Sequence, residues 1–280
     1  METKDKINQA ISLIRSANSQ HNFMLAFSGG KDSVVLEWLC KEAGIQVPKF
    51  HNVTTIDPEG TISFCQKHGC RIFRPMYSFL DLVEKKGFPT MFRRFCCEYL
   101  KEQYVCDYAF MGMRKAESVK RNACYSDFEY IRYYSKTKFT NVLMPLLYFE
   151  DEDIEYCVNE HGLECHPLYY DHEGKFCVSR RLGCIGCPLQ GDRGLKDFLS
   201  YPKLLLQILR RGVLYHQKHG RTPKDAALNL VYNLWYSNHG WEKYKQTYQG
   251  LFDTDPWEIL DSYFFINEDM VMSKLPKPKF

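Results

Sequence analysis

The 280-residue chain reads as an α/β protein, a doubly wound and mostly parallel sheet with a helical C-terminal extension. Three observations predict this. The apolar run Phe23-Met-Leu-Ala-Phe27 enters a small polar loop, Ser28-Gly29-Gly30-Lys31-Asp32-Ser33, and a helical pattern (Val34, Val35, Trp38, Leu39) follows at once. Further strand-like runs alternate with helical ones, each strand ending in a polar loop, as in sheets built from βα units. From Gly194 onward the periodicity is helical only.

The elements follow in order. Ile7, Ala10, Ile11 and Ile14 mark a first helix with one apolar face. Residues 49–56 form a second strand, closed by Asp57-Pro58-Glu59-Gly60, where Pro58 suits the first position of a short helix. Arg71–Arg74 is a third strand, residues 77–86 and 92–104 are helical, and Tyr108–Met111 is a further strand leading into Gly112. Glu150-Asp-Glu-Asp153 opens another helix, with acids placed where the helix dipole favours them. Residues 163–192 lack periodicity and form an irregular lobe. Helices are expected over 195–219, 223–236 and 256–265. The domain boundary falls near residue 192, giving domains 1–192 and 193–280.

Composition narrows the class. Apolar residues make up 45% and charged ones 25%, as in an ordinary globular protein. A net charge of +3, from 37 basic and 34 acidic residues, is too balanced for a protein whose sole partner is nucleic acid. No run approaches the roughly 20 apolar residues of a membrane span, and the start of the chain is amphipathic, so no membrane partner and a cytoplasmic location are expected. The 12 cysteines should then be reduced, and clustered ones point to metal or redox chemistry.

Ligands of doubly wound sheets bind beyond the carboxyl ends of the strands. That rule gathers Ser28–Ser33, Thr55–Glu59 and Gly112–Arg121 on one rim. Gly29 and Gly30 let backbone approach an anion, and free N–H groups at the start of the next helix favour negative charge. Ser28 and Ser33 add hydroxyls and Lys31 a cation. Arg114, Lys115 and Arg121 offer guanidinium forks or point charges to phosphate or sulfate. Asp32 would hold Mg²⁺ or orient Lys31.

These residues also carry a resemblance. Ser28-Gly-Gly-Lys-Asp-Ser33 after an apolar strand is similar to the PP-loop of the ATP-pyrophosphatase (adenine nucleotide α-hydrolase) superfamily. Thr55-Ile-Asp57-Pro-Glu59, Gly112-Met-Arg114 through Arg121, and His166-Pro167-Leu168 resemble segments of its phosphoadenosine phosphosulfate / adenylyl-sulfate reductase group. The likeness spans about residues 20–190. It implies ATP or an adenylylated sulfonucleotide as ligand, bound by Ser28, Gly29, Gly30, Lys31, Asp32, Ser33, Thr55, Asp57, Gly112, Arg114 and Arg121. Lys31, Asp32 and Arg114 would be the catalytic set.

Cys184-Ile-Gly-Cys187 is a knuckle whose spacing lets two thiolates share a metal, and Cys96-Cys97 is a vicinal pair. The combination resembles cluster-bearing adenylyl-sulfate reductases, which implies a 4Fe–4S cluster; structural Zn²⁺ is the alternative. Cys177 is a fifth candidate, because its spacing to Cys184 resembles that in DNA-phosphorothioation relatives. No cysteine follows Cys187, where the reductases carry a nucleophilic Glu-Cys-Gly-x-His segment, so sulfonucleotide reduction is the secondary expectation. The primary one is adenylation-driven sulfur transfer to a nucleic-acid or small-molecule acceptor, with a sulfur donor or thiol reductant as partner. A non-catalytic nucleotide-sensing module with structural zinc is the reading from another class. The basic stretch 203–224 suits either nucleic-acid phosphates or, preferably, a solvated helix face. Trp235, Tyr236, Trp241 and Tyr244 read as helix-packing core.

Overall fold

A computed structural model describes residues 2–90, 92–190, 192–234 and 255–276, the side chains of Lys120, Asp192 and Arg193 excepted. Trp235, Tyr236, Trp241 and Tyr244 lie outside the described residues. Six strands form one sheet: β1 (Met24–Ala26), β2 (Lys49–Asn52), β3 (Arg71–Phe73), β4 (Tyr108–Phe110), β5 (Glu129–Tyr133) and β6 (Phe139–Leu143), in the order β3-β2-β1-β4-β6-β5. All neighbours are parallel except β5 and β6. The sheet is therefore mostly parallel, flanked by helices, as the sequence pattern predicts.

The helices are α1 (Thr3–Gln20), α2 (Lys31–Glu42), α3 (Thr61–Lys67), α4 (Phe79–Lys86), α5 (Val119–Cys124), α6 (Asp151–Glu160), α7 (Asp192–Ser200), α8 (Pro202–Lys218), α9 (residues 223–234), α10 (Pro256–Phe264) and α11 (Glu268–Met272). Among the described residues no helix is long and apolar enough to cross a membrane.

The described chain divides into two compact units. The first comprises Met1–Val53, Asp57–Arg74 and Glu102–Gly183, and the second Thr54–Ile56, Pro75–Lys101 and Cys184–Phe280. The boundary expected near residue 192 thus falls inside the second unit. In the first unit, Ile7, Ala10 and Ile14 of α1 and Val34, Val35 and Leu39 of α2 join one core with Leu25 and Phe27 of the first strand and its exit. In the second, Leu82 and Val83 of α4 share a core with Leu205, Leu209 and Val213 of α8.

Local chemistry corrects several boundaries. The α3 helix starts at Thr61, not Pro58, because Gly60 takes a left-handed φ of 82° and the Thr61 N–H closes a turn onto the Pro58 carbonyl. The helix expected over 92–104 shrinks to a short segment whose last turn, Cys97–Lys101, is wound as a π-helix. The run expected over 195–219 breaks at Pro202, which cannot donate to a helical bond. The β5–β6 hairpin went unread, although Glu129–Tyr133 alternates between exposed and half-buried residues. The lobe is as irregular as expected, holding two single-turn 3₁₀ segments and one bridge, Tyr170 to Phe176.

Candidate functional site

The strand order reverses between β1 and β4, and the loops that leave these two strands meet at the switch point. A side chain at Gly112, after β4, would come within 3.1 Å of the Asp32 backbone. Gly112 therefore serves close packing of one loop on the other. Gly29 has φ of 79°, and a side chain there would also meet Cys65 Sγ and Leu182 at 3.3 Å. Only glycine turns the loop at that point without strain.

The loop's hydroxyls hold it to itself. Ser33 Oγ donates to the Gly30 carbonyl at 2.7 Å, and Ser28 Oγ accepts from the Gly30 N–H at 3.3 Å. The N-cap residue of α2 is Gly30, which has no side chain to cap the helix, whose first residue is Lys31. Its opening turn therefore keeps the character of an anion site.

Lys31 is buried, with 4% exposure. Burial pulls its pKa down, opposed by the Asp32 and Asp151 carboxylates. Asp32 Oδ2 lies 3.5 Å from Lys31 Nζ, and Oδ1 accepts a 2.6 Å bond from Arg114 Nε. Of the two roles expected of Asp32, orienting Lys31 is the one this geometry supports.

Arg114, expected to grip the anion, is 2% exposed, and its fork is engaged within the protein: Nε on Asp32, Nη1 on the Phe149 carbonyl at 3.1 Å, and Nη2 on Asp151 at 2.7 Å. It braces the loop from behind. Thr55, expected at the nucleotide, is placed elsewhere in the division of the chain. It belongs to the second unit, has φ of 63°, and its Oγ1 accepts the Phe79 N–H at the start of α4. Asp57 belongs to the first unit and acts electrostatically on Cys65, the thiol beneath Gly29.

Two contributors escaped the sequence reading because they come from the aperiodic lobe. Tyr169 is buried, and its hydroxyl accepts the backbone N–H groups of Leu182, at 3.1 Å, and of Lys31. Burial pushes this phenol up to about 12, so it stays protonated. With two N–H groups on its oxygen, its own proton is left to donate. Arg181 precedes Leu182, donates to the Glu117 carbonyl at 3.1 Å, and lowers the pKa of both Lys31 and Arg121. Arg181 thus stands within electrostatic reach of both Lys31 and Arg121. Arg121 also pairs with Glu117, and Lys115 lies over the Tyr148 ring at 4.9 Å. The arrangement concentrates positive charge at the mouth of a Gly-rich loop.

The cysteines divide between the units. Cys177 sits in the first, where its N–H donates to the Tyr169 carbonyl at 2.7 Å. Cys96, Cys97, Cys184 and Cys187 all sit in the second. The knuckle is fixed by α7: Asp197 accepts the Gly186 N–H at 3.0 Å, and a side chain at Gly186, whose φ is 68°, would strike Phe198 at 2.1 Å. The Cys96 thiol is pushed up by its hydrogen bond with Cys97, by burial, and by the Cys97, Cys184 and Cys187 sulfurs. Lys101 is pushed up chiefly by Cys184, against its own burial and with help from Cys97 and Cys187. Cys97, Cys184 and Cys187 therefore act on both the Cys96 thiol and the Lys101 ammonium. Among the described residues, however, no three His, Cys, Asp or Glu side chains converge as ligands of a single ion.

A switch-point glycine loop with a buried lysine at the start of the following helix defines the class, a doubly wound α/β protein. Residues 22–190 match the phosphoadenosine phosphosulfate reductase domain, and the chain belongs to that family, within the PP-loop adenine nucleotide α-hydrolase superfamily. No curated protein matches the chain significantly. Among solved structures it is similar to the phosphoadenylyl-sulfate reductase of Candida auris in its phosphate complex, with 12% identity and a TM-score of 0.44, covering 56% of this chain and 81% of that one. It is also similar to the FMN adenylyltransferase of Candida glabrata (15% identity, TM-score 0.40, 62% and 57% covered). A third is the U34-tRNA thiolase NcsA of Methanococcus maripaludis with its [4Fe–4S] cluster (17% identity, TM-score 0.37, 59% and 66% covered).

Proposed function

We propose that the chain is an enzyme that binds ATP or an adenylylated sulfur compound at Ser28–Ser33 and carries out adenylation-driven sulfur transfer. The observation that carries this reading is the buried, carboxylate-oriented Lys31 at the start of α2, with the added charge of Arg181 acting on it. Such a site stabilises a pyrophosphate leaving group as negative charge builds on it. With ATP, an acceptor oxygen attacks the α-phosphorus, the bond to the β,γ-pyrophosphate breaks, and the acceptor leaves adenylylated. A sulfur nucleophile then displaces AMP. Lys31, the α2 N–H groups and Tyr169 bind and orient the phosphates. Mg²⁺ would enter with the nucleotide, because both Asp32 oxygens already face cations.

Four thiols with no carboxylate or imidazole among them suit iron–sulfur or all-cysteine zinc sites. One zinc ion needs its sulfurs drawn around a single point at about 2.3 Å, whereas a 4Fe–4S cluster spreads its thiolates over a cube. Cys96, Cys97, Cys184 and Cys187 lie in one unit and interact electrostatically, which supports either all-cysteine group, with the cluster as the preferred reading. Such a cluster supplies sulfur or electron chemistry when bound.

The test is anaerobic incubation of the protein with ATP and candidate sulfur donors. AMP with pyrophosphate is expected; ADP with phosphate, or no turnover with any acceptor, refutes the reading. Sulfite released from adenylyl sulfate with thioredoxin would favour reduction instead.

A further inference from the structure

Basic residues of the second unit divide into spent and unspent groups. On α8, Arg210 is buried and its Nη2 donates to the Met270 and Ser273 carbonyls at 2.7 and 2.9 Å. Arg211 and Lys218 both hold the buried Glu84 of α4. Lys224, just beyond, pairs with Asp255. Within the stretch 203–224, read as a nucleic-acid contact or, preferably, a solvated helix face, Arg210, Arg211, Lys218 and Lys224 are thus engaged in internal pairing, and Arg210 is buried.

That pairing has an effect on α4 itself. Glu84 is neutralised from the α8 side, and Asp81 is turned into the capping box with Ser78. Lys85 and Lys86 close the last turn of α4. Both lysines lie over aromatic rings: Lys85 Nζ is 3.4 Å from the centroid of Tyr77, and Lys86 Nζ is 4.7 Å from that of Tyr99. These two tyrosines are partly exposed, and the following loop presents Phe92, 72% exposed, beside exposed Arg93. Exposed rings alternating with cations are costly on a surface meant only for water, since each ring leaves apolar area hydrated. The same alternation fits a flexible polyanion whose charges repeat between flat apolar faces.

The geometry points to a single-stranded nucleic acid bound along Tyr77, Lys85, Lys86, Tyr99, Phe92 and Arg93, with bases stacked on the rings and phosphates on the cations. This deepens the sulfur-transfer reading, on which it rests for its purpose, by naming the acceptor class. Tyr99 is two residues from Cys97, so a strand on this surface reaches the vicinal cysteines of the same unit. Other acidic polymers lack flat faces and would use the lysines but not the rings.

The experiment is fluorescence anisotropy of the full chain with labelled 20-nucleotide oligo-uridine and oligo-thymidine, and with labelled polyglutamate as an anion without bases. Both oligonucleotides are expected to bind; a strong preference for one identifies RNA or DNA as the source. Log affinity should fall with log salt at a slope of about −2 to −3, as three or four phosphates are neutralised. Lys85→Glu with Lys86→Glu should weaken oligonucleotide and polyglutamate alike. Phe92→Ala, an exposed change that leaves the core intact, should weaken the oligonucleotides by about 10-fold and leave polyglutamate unchanged. Equal binding of wild type and Phe92→Ala, or no oligonucleotide binding at all, overturns the proposal. AMP and pyrophosphate release is read separately in the same variants. Binding without turnover would sink the enzymatic reading and spare the surface, and turnover without binding the reverse.

Discussion

At the scale of single residues, the site is governed by two buried cations with opposite duties. Arg114, 2% exposed, is tied to two carboxylates and a carbonyl, so Arg114→Ala would leave Asp32, 16% exposed, with Lys31 as its remaining ion-pair partner. Losing one partner of a fully buried pair costs about 3–5 kcal/mol, and urea denaturation should show a smaller loss here, at most about 3 kcal/mol. Lys31 is the reverse case. Burial disfavours its charged form, so Lys31→Met should hold or raise stability while abolishing pyrophosphate binding, measured by calorimetry. The sign with pH follows. A lysine whose folded pKa is lowered binds fewer protons in the folded state, so stability rises as pH climbs from the folded value toward 10.5. Pyrophosphate affinity should fall across that same alkaline window. Lys31, Asp32 and the two glycines were legible in the sequence because a Gly-rich loop between strand and helix has a local physical meaning. The bracing role of Arg114 was not, since nothing local says that its fork will meet Asp32 and Asp151.

Elements hold these residues by specific contacts, and two can be tested. Glu37 fastens α2 through His68, Lys49 and Lys41; its burial alone would raise its pKa, but these hydrogen bonds prevail and bring it to about 2. A depressed carboxylate contributes stability that is full above the unfolded value of 4.5 and is lost as pH falls through the folded one. For Glu37 that loss should reach about 3 kcal/mol between roughly pH 5 and 2, and Glu37→Gln should flatten the acid limb of the stability curve. In the knuckle, Gly186→Ala would put a methyl group into Phe198 on a left-handed backbone. Overpacking of this kind costs roughly 1–3 kcal/mol, with metal retention falling too if the turn presents Cys184 and Cys187. Thermal unfolding and iron and zinc analysis measure both. The C-x2-C spacing announced this turn, while the π-wound segment carrying Cys97 was read as an ordinary helix because apolar periodicity does not distinguish the two windings.

For the whole molecule, the metal decides between readings of the second unit. Anaerobic protein grown with iron should show a broad visible absorbance band that Cys184→Ser and Cys187→Ser abolish, and Cys177→Ser should leave it in place. A colourless protein with one equivalent of zinc would return the site to the structural alternative. By itself the sequence determined the fold class, the phosphate loop and the likeness to its family, because these rest on periodicity and on motifs spanning a few residues. Tertiary structure decided what those motifs do together. It tied Arg114 to Asp32 and Asp151 and Thr55 to the start of α4, brought Tyr169 to the loop, and gave Arg211 and Lys218 of α8 to Glu84. Each depends on contacts between residues distant in sequence, where side-chain pairing and burial outweigh local pattern.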